Sequence, residues 1–234
     1  MKRIVVLTGA GMSAESGIST FRDTGGLWEQ YAIEDVATPE GFRRDPALVL
    51  SFYNERRKQL LQVSPNKGHE LLAALEKTYQ VDIITQNVDN LHERAGSSHI
   101  LHLHGELTKV CSSYDPENPR YVRELSPAEY EIKIGDKAED GSQLRPYIVW
   151  FGEAVPNISK AAELVSQADI LVIIGTSMQV YPAAGLVHYA PAHTPIYLID
   201  PHADEIPLSM PITLLKKGAS EGVEAFIQLL NEKH

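Results

Sequence analysis

Residues 4–23, IVVLTGAGMSAESGISTFRD, decide how this chain is read. The apolar run Ile4 to Leu7 suits a buried parallel strand and leads directly into Gly9-Ala10-Gly11 and a helix-compatible segment. A glycine turn of this kind brings backbone N–H groups and a helix N-terminus against a phosphate. Gly9 permits the tight turn, Gly11 permits close approach of a pyrophosphate, and Ala14 takes the third small-residue position of the dinucleotide fingerprint. The same turn after a strand also occurs for purely geometric reasons. An ordinary dinucleotide fold would continue to a second strand ending in Asp or Glu about twenty residues on. Here Ser16-Gly17-Ile18 leads instead to Phe21-Arg22-Asp23 and Gly25-Gly26-Leu27-Trp28, a glycine-hinged loop with no strand pattern.

Further apolar runs at Val81–Ile84, Ile100–Leu103, Ile148–Trp150, Ile170–Ile174, Ile196–Ile199 and Ile212–Leu215 read as strands. Helical patterns lie between many of them, as at His69 to Lys77, Ser159 to Gln167 and Ser220 to Leu230. This alternation predicts an α/β fold, a Rossmann-like doubly wound parallel sheet whose ligand side is the carboxyl end of its strands. Residues 1–24, 66–105 and 145–234 are assigned to it. Two stretches break the alternation. Residues 25–65 form a helical insertion with its clearest helix at Ala47 to Leu61, and residues 106–144 are rich in turn formers. Within the second, Tyr130 to Ile134 alternates at period two and predicts a half-buried strand. The two insertions are expected to pack together as a smaller second domain.

At 234 residues, with 43% hydrophobic and 22% charged residues, the chain has material for a substantial core. A formal charge of −10 argues against a nucleic-acid partner, because nothing here neutralises a run of phosphates. The basic cluster Arg56-Arg57-Lys58 reads as a solvated helix face. With Cys111 as the only cysteine, no intrachain disulfide can form. The apolar run after Met1-Lys2-Arg3 is too short for a signal peptide, and no stretch approaches a membrane span. A cytoplasmic protein without membrane association is expected.

Motifs recur in order along the chain. After GAGMSAESGISTFRD come Thr85-Gln86-Asn87-Val88-Asp89-Asn90-Leu91-His92, His104-Gly105-Glu106, and Arg145-Pro146-Tyr147-Ile148-Val149-Trp150-Phe151-Gly152-Glu153. Gly175-Thr176-Ser177 and Lys217-Gly218-Ala219-Ser220-Glu221-Gly222 complete the series. Together these blocks resemble those of the sirtuins, the NAD-dependent protein deacylases, from residue 4 to about residue 226. The resemblance implies NAD as cofactor, acylated-lysine proteins as substrates and a monomer. In that family the acyl-lysine carbonyl oxygen attacks C1′ of the nicotinamide ribose and expels nicotinamide. A histidine then deprotonates a ribose hydroxyl, and the products are free lysine, nicotinamide and O-acyl-ADP-ribose.

His104 follows a strand, with Gly105 leaving its ring edge uncrowded; His102 would share its face in a regular strand and is the local competitor. The family pattern puts the catalytic histidine directly before the glycine and so favours His104, while His69 and His92, in helical patterns, are assigned structural roles. The resemblance assigns Asn87 and Asp89 to the nicotinamide and its ribose, and Gln86 to the ribose hydroxyls, although Asn and Asp also start helices well. It brings Ala10, Ser13, Glu15 and Gly17 to the cofactor beside Gly9, Gly11 and Ala14, and makes Phe21, Arg22 and Trp28 part of a closing loop. Gly175, Thr176 and Ser177 would meet the phosphate and adenosine half, and Ala219 the adenine. Asp200-Pro201-His202 would meet the adenosine ribose, where many relatives carry Asn. Val149, Phe151, Gly152 and Glu153 would take the substrate backbone as an added strand. A non-catalytic NAD-binding module is disfavoured because His104, Asn87 and Asp89 are all present. A dehydrogenase is disfavoured by the missing ribose-binding acid.

Two departures sharpen the reading. Most sirtuins carry two CxxC pairs after the catalytic histidine, but residues 106–144 hold Cys111 alone and no histidine. A single thiolate cannot build a structural zinc site, so a metal-free module held by Tyr130, Ile132 and Ile134 is expected. On spacing alone Tyr53 and Arg56 are an ordinary pair on one helix face. Phe52-Tyr53-Asn54-Glu55-Arg56-Arg57, however, resembles the tyrosine–arginine motif of class III sirtuins, which reads the acid end of succinyl- and malonyl-lysine. Residues 35–42 look like the same class, with small Ala37 leaving room for a longer acyl chain. Desuccinylation and demalonylation are therefore expected alongside deacetylation.

Overall fold

The computed structural model describes residues 1–19, 30–206 and 210–232. Its main sheet has six parallel strands: β1 (Arg3–Thr8), β2 (Gln80–Thr85), β3 (Ile100–His102), β7 (Ile170–Ile174), β8 (Ile196–Ile199) and β9 (Thr213–Leu215). They lie in the order β3-β2-β1-β7-β8-β9, so the direction of winding reverses between β1 and β7. Both faces of this sheet are covered, which is why its strands read as unbroken apolar runs. Val5, Leu7, Leu171, Ile173 and Leu198 point into one core, and Ile4, Val6, Val172, Ile174 and Ile199 into the other. The second core is closed by α5 (Lys67–Leu75) and α8 (Ala219–Glu232), with Phe226 set edge-on to Tyr197 at 4.9 Å. Burying a phenyl group of this kind contributes about 1.5–3 kcal/mol.

The smaller unit is a three-stranded antiparallel sheet in the order β5-β4-β6, built from β4 (Gly105–Ser112), β5 (Arg123–Glu124) and β6 (Leu144–Ile148). The strand expected at 148–150 is thus shifted to 144–148, and it pairs with β4 rather than with the parallel sheet. Against it lies α4 (Pro46–Gln62), started by Pro46 and by the Asp45 carboxylate, which accepts the Leu48 N–H at 3.0 Å.

The strand expected at Tyr130 to Ile134 is absent. Asn54 of α4 takes the place of a partner strand: its Nδ2 donates to the Ile132 carbonyl and its Oδ1 accepts the Ile132 N–H, both at 2.9 Å. Ile132 is buried with Leu50, Val110 and Leu144, whereas Ile134 is 58% exposed and holds nothing together. Arg57 is not on a solvated face either. It is 3% exposed, and its Nε donates to the Leu107 carbonyl at 2.8 Å while Nη1 reaches Asn54 Oδ1 at 2.8 Å. Burial lowers its pKa to about 10, which leaves it a cation at neutral pH. Among the described residues no group of three His, Cys, Asp or Glu side chains could hold a metal ion. Cys111 is buried, and desolvation pushes its thiol up to about 12, so it offers no thiolate. No described helix is long and apolar enough to cross a membrane.

Candidate active site

A cavity of about 610 Å³ opens at the carboxyl ends of the parallel strands, across the reversal between β1 and β7, and continues between the two sheets. Its floor is made by two interlocked glycine loops. A Cβ on Gly9 or Gly11 would stand 2.7 Å from atoms of Gly175 or Thr176, and Gly175 has φ +61°. Gly11 is therefore required by the loop packed behind it, beyond any approach of a pyrophosphate. The helix that follows, α1, has only four residues (Gly11–Ala14), too few for a substantial macrodipole. What the loops offer an anion is individual donors. The N–H groups of Ala10, Thr176 and Ser177 have no acceptor among the described residues and lie in the cavity wall. A cradle of this shape and polarity fits a dinucleotide phosphate.

The polar wall is a continuous string. Asn87 Nδ2 donates to the Gly9 carbonyl at 3.0 Å and lies 3.2 Å from Ser13 Oγ, which donates to Asp89 Oδ2 at 2.9 Å. Asp89 also accepts the Leu91 N–H, starting α6 (Leu91–Ala95). Burial nonetheless raises its pKa. Gln86 Nε2 donates to Thr176 Oγ1 at 3.1 Å and so ties the two halves of the cavity together.

The two candidate histidines separate cleanly. His102 places Nδ1 3.0 Å from the Asn87 carbonyl and Nε2 2.7 Å from Glu93 Oε1, so both nitrogens face acceptors. Burial opposes its charge, but the Glu93 carboxylate, together with Glu106 and the Asn87 carbonyl, raises its pKa; burial pushes the Glu93 carboxyl up, yet the bond to His102 and its charge hold it below the ordinary value. With both ring nitrogens engaged by acceptors, His102 has no free lone pair with which to act as a base. His104 lines the cavity, and its Nδ1 donates to the Gln86 carbonyl at 3.1 Å, which leaves Nε2 as the free lone pair. Burial lowers its pKa, partly offset by that bond, so the neutral form prevails at neutral pH. Gly105 has a reason other than keeping the ring uncrowded: it has φ +84°, and a Cβ there would strike the Tyr147 carbonyl at 2.1 Å. His69 and His92 are buried in α5 and α6 with their rings 4.8 Å apart, away from the cavity.

At the end toward the small sheet, Ala37, Tyr53, Arg56, Leu107, Ile148 and Trp150 line the cavity. Tyr53 is 1% exposed; its Oη accepts the Trp150 Nε1–H at 3.0 Å, and its own hydroxyl proton has no acceptor among the described residues. The Arg56 guanidinium carbon lies 5.6 Å from the Tyr53 ring centre. Burial raises the Tyr53 pKa, against the pull of Arg56, so the phenol stays a neutral donor. Burial lowers that of Arg56, with Tyr53 and Asp89 acting the other way.

Of the other expected residues, Ala14, Glu15, Asp200, Pro201 and His202 line the cavity. Gly17 does not, and Gly218 rather than Ala219 does, because Ala219 is buried at the start of α8. Phe21, Arg22 and Trp28 lie outside the described residues. The edge at 149–153 is only partly available to a peptide: Val149 N donates to the His104 carbonyl and Phe151 N to the Ala37 carbonyl. Glu153 touches the cavity, but its carboxylate takes both Arg145 Nη atoms, at 2.7 and 3.0 Å, and the Trp150 N–H. It braces the turn. Trp150 and Leu107 are not among the site residues assigned from sequence, although Trp150 stands inside the family-like block at 145–153.

The Sir2 family model matches residues 9–182. An NAD-dependent protein deacylase of Bacteroides thetaiotaomicron is 70% identical over 230 residues, covering 98% of each chain. One of Helicobacter pylori (strain 26695) is 54% identical over 232 residues, covering 99% of each. A crystal structure of a Sir2 homolog–NAD complex superposes with a TM-score of 0.85 at 38% identity, covering 99% of this chain and 90% of that one.

Proposed function

The chain belongs to the Sir2 family and is an NAD-dependent protein deacylase; we propose that it removes succinyl and malonyl as well as acetyl groups from protein lysines. The observation that carries this reading is Tyr53, a buried hydroxyl whose accepting side is used by Trp150 and whose proton has no partner among the described residues. Buried donors are almost always satisfied, so an open one beside Arg56 calls for an acceptor brought by a ligand. A carboxylate at the far end of an acyl chain supplies it, gripped by the guanidinium fork and the phenol.

NAD, when bound, supplies the ribose to which the acyl group passes and releases nicotinamide. His104 Nε2 takes a proton from a ribose hydroxyl, its tautomer fixed by the Gln86 carbonyl. Asn87, Ser13 and Asp89 hold the nicotinamide side through their shared hydrogen bonds. Ala10, Thr176 and Ser177 would offer N–H groups to the phosphates, and Asp200, Pro201 and His202, which line the cavity, would border the adenosine ribose.

The test is mass spectrometry of products after incubation with NAD and lysine peptides of one sequence carrying acetyl, malonyl or succinyl groups. Free lysine and the matching O-acyl-ADP-ribose are expected from all three. Turnover confined to acetyl-lysine would overturn the acyl range and leave the family activity standing.

A further inference from the structure

Tyr53 does not orient itself. A phenol O–H has two in-plane orientations, and a donor useful to a ligand must have that choice removed beforehand. The Trp150 Nε1–H, 3.0 Å away, occupies the accepting side of the Tyr53 oxygen and so turns the hydroxyl proton toward the opposite side. Trp150 is itself 3% exposed and held from several directions. The Arg145 guanidinium carbon lies 3.5 Å from the indole centre, and Phe42 packs beside it at 5.3 Å. Arg145, 4% exposed, is fixed by Glu153 through two bonds and by the Ile148 carbonyl at 2.7 Å. Glu153 returns to the Trp150 backbone N–H at 2.7 Å and closes the circuit.

We propose that Trp150 is a positioning residue for acyl selection: its indole N–H sets the direction of the Tyr53 hydroxyl, and the Arg145–Glu153 pair locks the indole in place. The inference rests on the reading of Tyr53 and Arg56 as the acyl-carboxylate grip. It gives Glu153 and Trp150 a task that the peptide-edge expectation did not contain. An acetyl group has no acid end to meet Tyr53, so the effect belongs to the longer, acidic acyl groups.

The experiment is a double-variant cycle of Trp150→Phe and Tyr53→Phe, with kcat and KM measured on acetyl- and succinyl-lysine peptides of the same sequence. Phenylalanine keeps a ring for Arg145 and removes only the N–H donor and some bulk. Trp150→Phe is expected to lower the succinyl-to-acetyl ratio of kcat/KM roughly five-fold, mostly through KM, the scale of one oriented hydrogen bond. In the Tyr53→Phe background the same change should leave that ratio where Tyr53→Phe alone puts it, because no hydroxyl remains to orient. If Trp150→Phe leaves the ratio intact, or lowers it by the same factor with and without the Tyr53 hydroxyl, Trp150 is merely structural and the inference falls. If Tyr53→Phe itself leaves the ratio unchanged, or the wild-type enzyme does not turn over succinyl-lysine, the acyl-carboxylate reading falls first and takes the inference with it.

Discussion

Replacing Arg56 by methionine is the most direct test of how the cavity reads its acyl group. Methionine keeps much of the apolar stem against Phe52 and Tyr53, whose ring centres lie 5.7 and 5.6 Å from the guanidinium carbon, and removes the charge. In the free enzyme burial lowers the Arg56 pKa, with Tyr53 and Asp89 acting in the other direction. A bound carboxylate would relieve the cost of burying the cation and accept from its fork. A hydrogen bond to a charged group contributes about 1.5–3 kcal/mol. At ~1.4 kcal/mol per tenfold, that predicts a loss of roughly 10- to 100-fold in the succinyl-to-acetyl ratio of kcat/KM. Arg56→Lys should fall between the two, since it keeps the charge and loses the fork. Steady-state kinetics on matched peptides measure the ratio. Equal losses on both peptides would show that Arg56 supports the fold or the Asp89 side of the cavity and does not select the acyl group.

His104→Ala should lower deacylation by at least ~100-fold while NAD still binds, as measured by calorimetry; near-normal turnover of a folded variant would remove His104 from the chemistry. Because burial lowers the His104 pKa, the neutral base persists as pH falls, and the acid limb of kcat/KM should lie below the ordinary value of 6.5. A limb above 6.5 would contradict it. His69, held to about 4 by burial, must stay neutral in the folded protein while the unfolded chain takes up a proton near 6.5. Its stabilisation is therefore present above the ordinary value and is lost as pH falls toward 4, about 2 kcal/mol by pH 5 and about 3 kcal/mol below both values. The drop in Tm between pH 8 and pH 5 should therefore be roughly 4–8 °C smaller in His69→Gln than in the parent chain, and equal drops would refute the point. Asn54→Ala should cost about 2–3 kcal/mol and speed hydrogen exchange at Ile132, since it removes two backbone bonds and a partner of Arg57. Chelator treatment should leave Tm unchanged, and stoichiometric zinc by elemental analysis would overturn the metal-free module.

The parallel sheet and the cavity floor were legible in the sequence because they rest on local signals. Strands buried on both faces must be apolar throughout, and loops that interlock at Gly9, Gly11 and Gly175 must be glycine. The choice of His104 over His102 was legible only through the family pattern. Its physical cause, the Glu93 carboxylate that occupies His102 Nε2, comes from a different element. Long-range pairing of that kind also hid the rest. Tyr130 to Ile134 has the period of a strand, yet its backbone partner is a side chain 78 positions away. Arg57 looked like surface because charge normally is, and Glu153 was read as part of a peptide edge through the family pattern, which carries no sign of its bonds to Arg145.

These misses converge on α4, which does two jobs from adjacent faces. Tyr53 and Arg56, three residues apart, face the cavity, while Asn54 and Arg57, one step on and so about 100° round the helix, grip the small sheet. In relatives with two CxxC pairs, a tetrahedral metal would tie that module together within itself. Here the ties run outward to α4: Arg57 to the Leu107 carbonyl, Asn54 to both backbone groups of Ile132, with Leu50 buried beside Val110 and Leu144. These ties make the module and α4 one packed unit, so a change that loosens residues 106–144 reaches Tyr53 and Arg56 through the backbone that carries all four side chains.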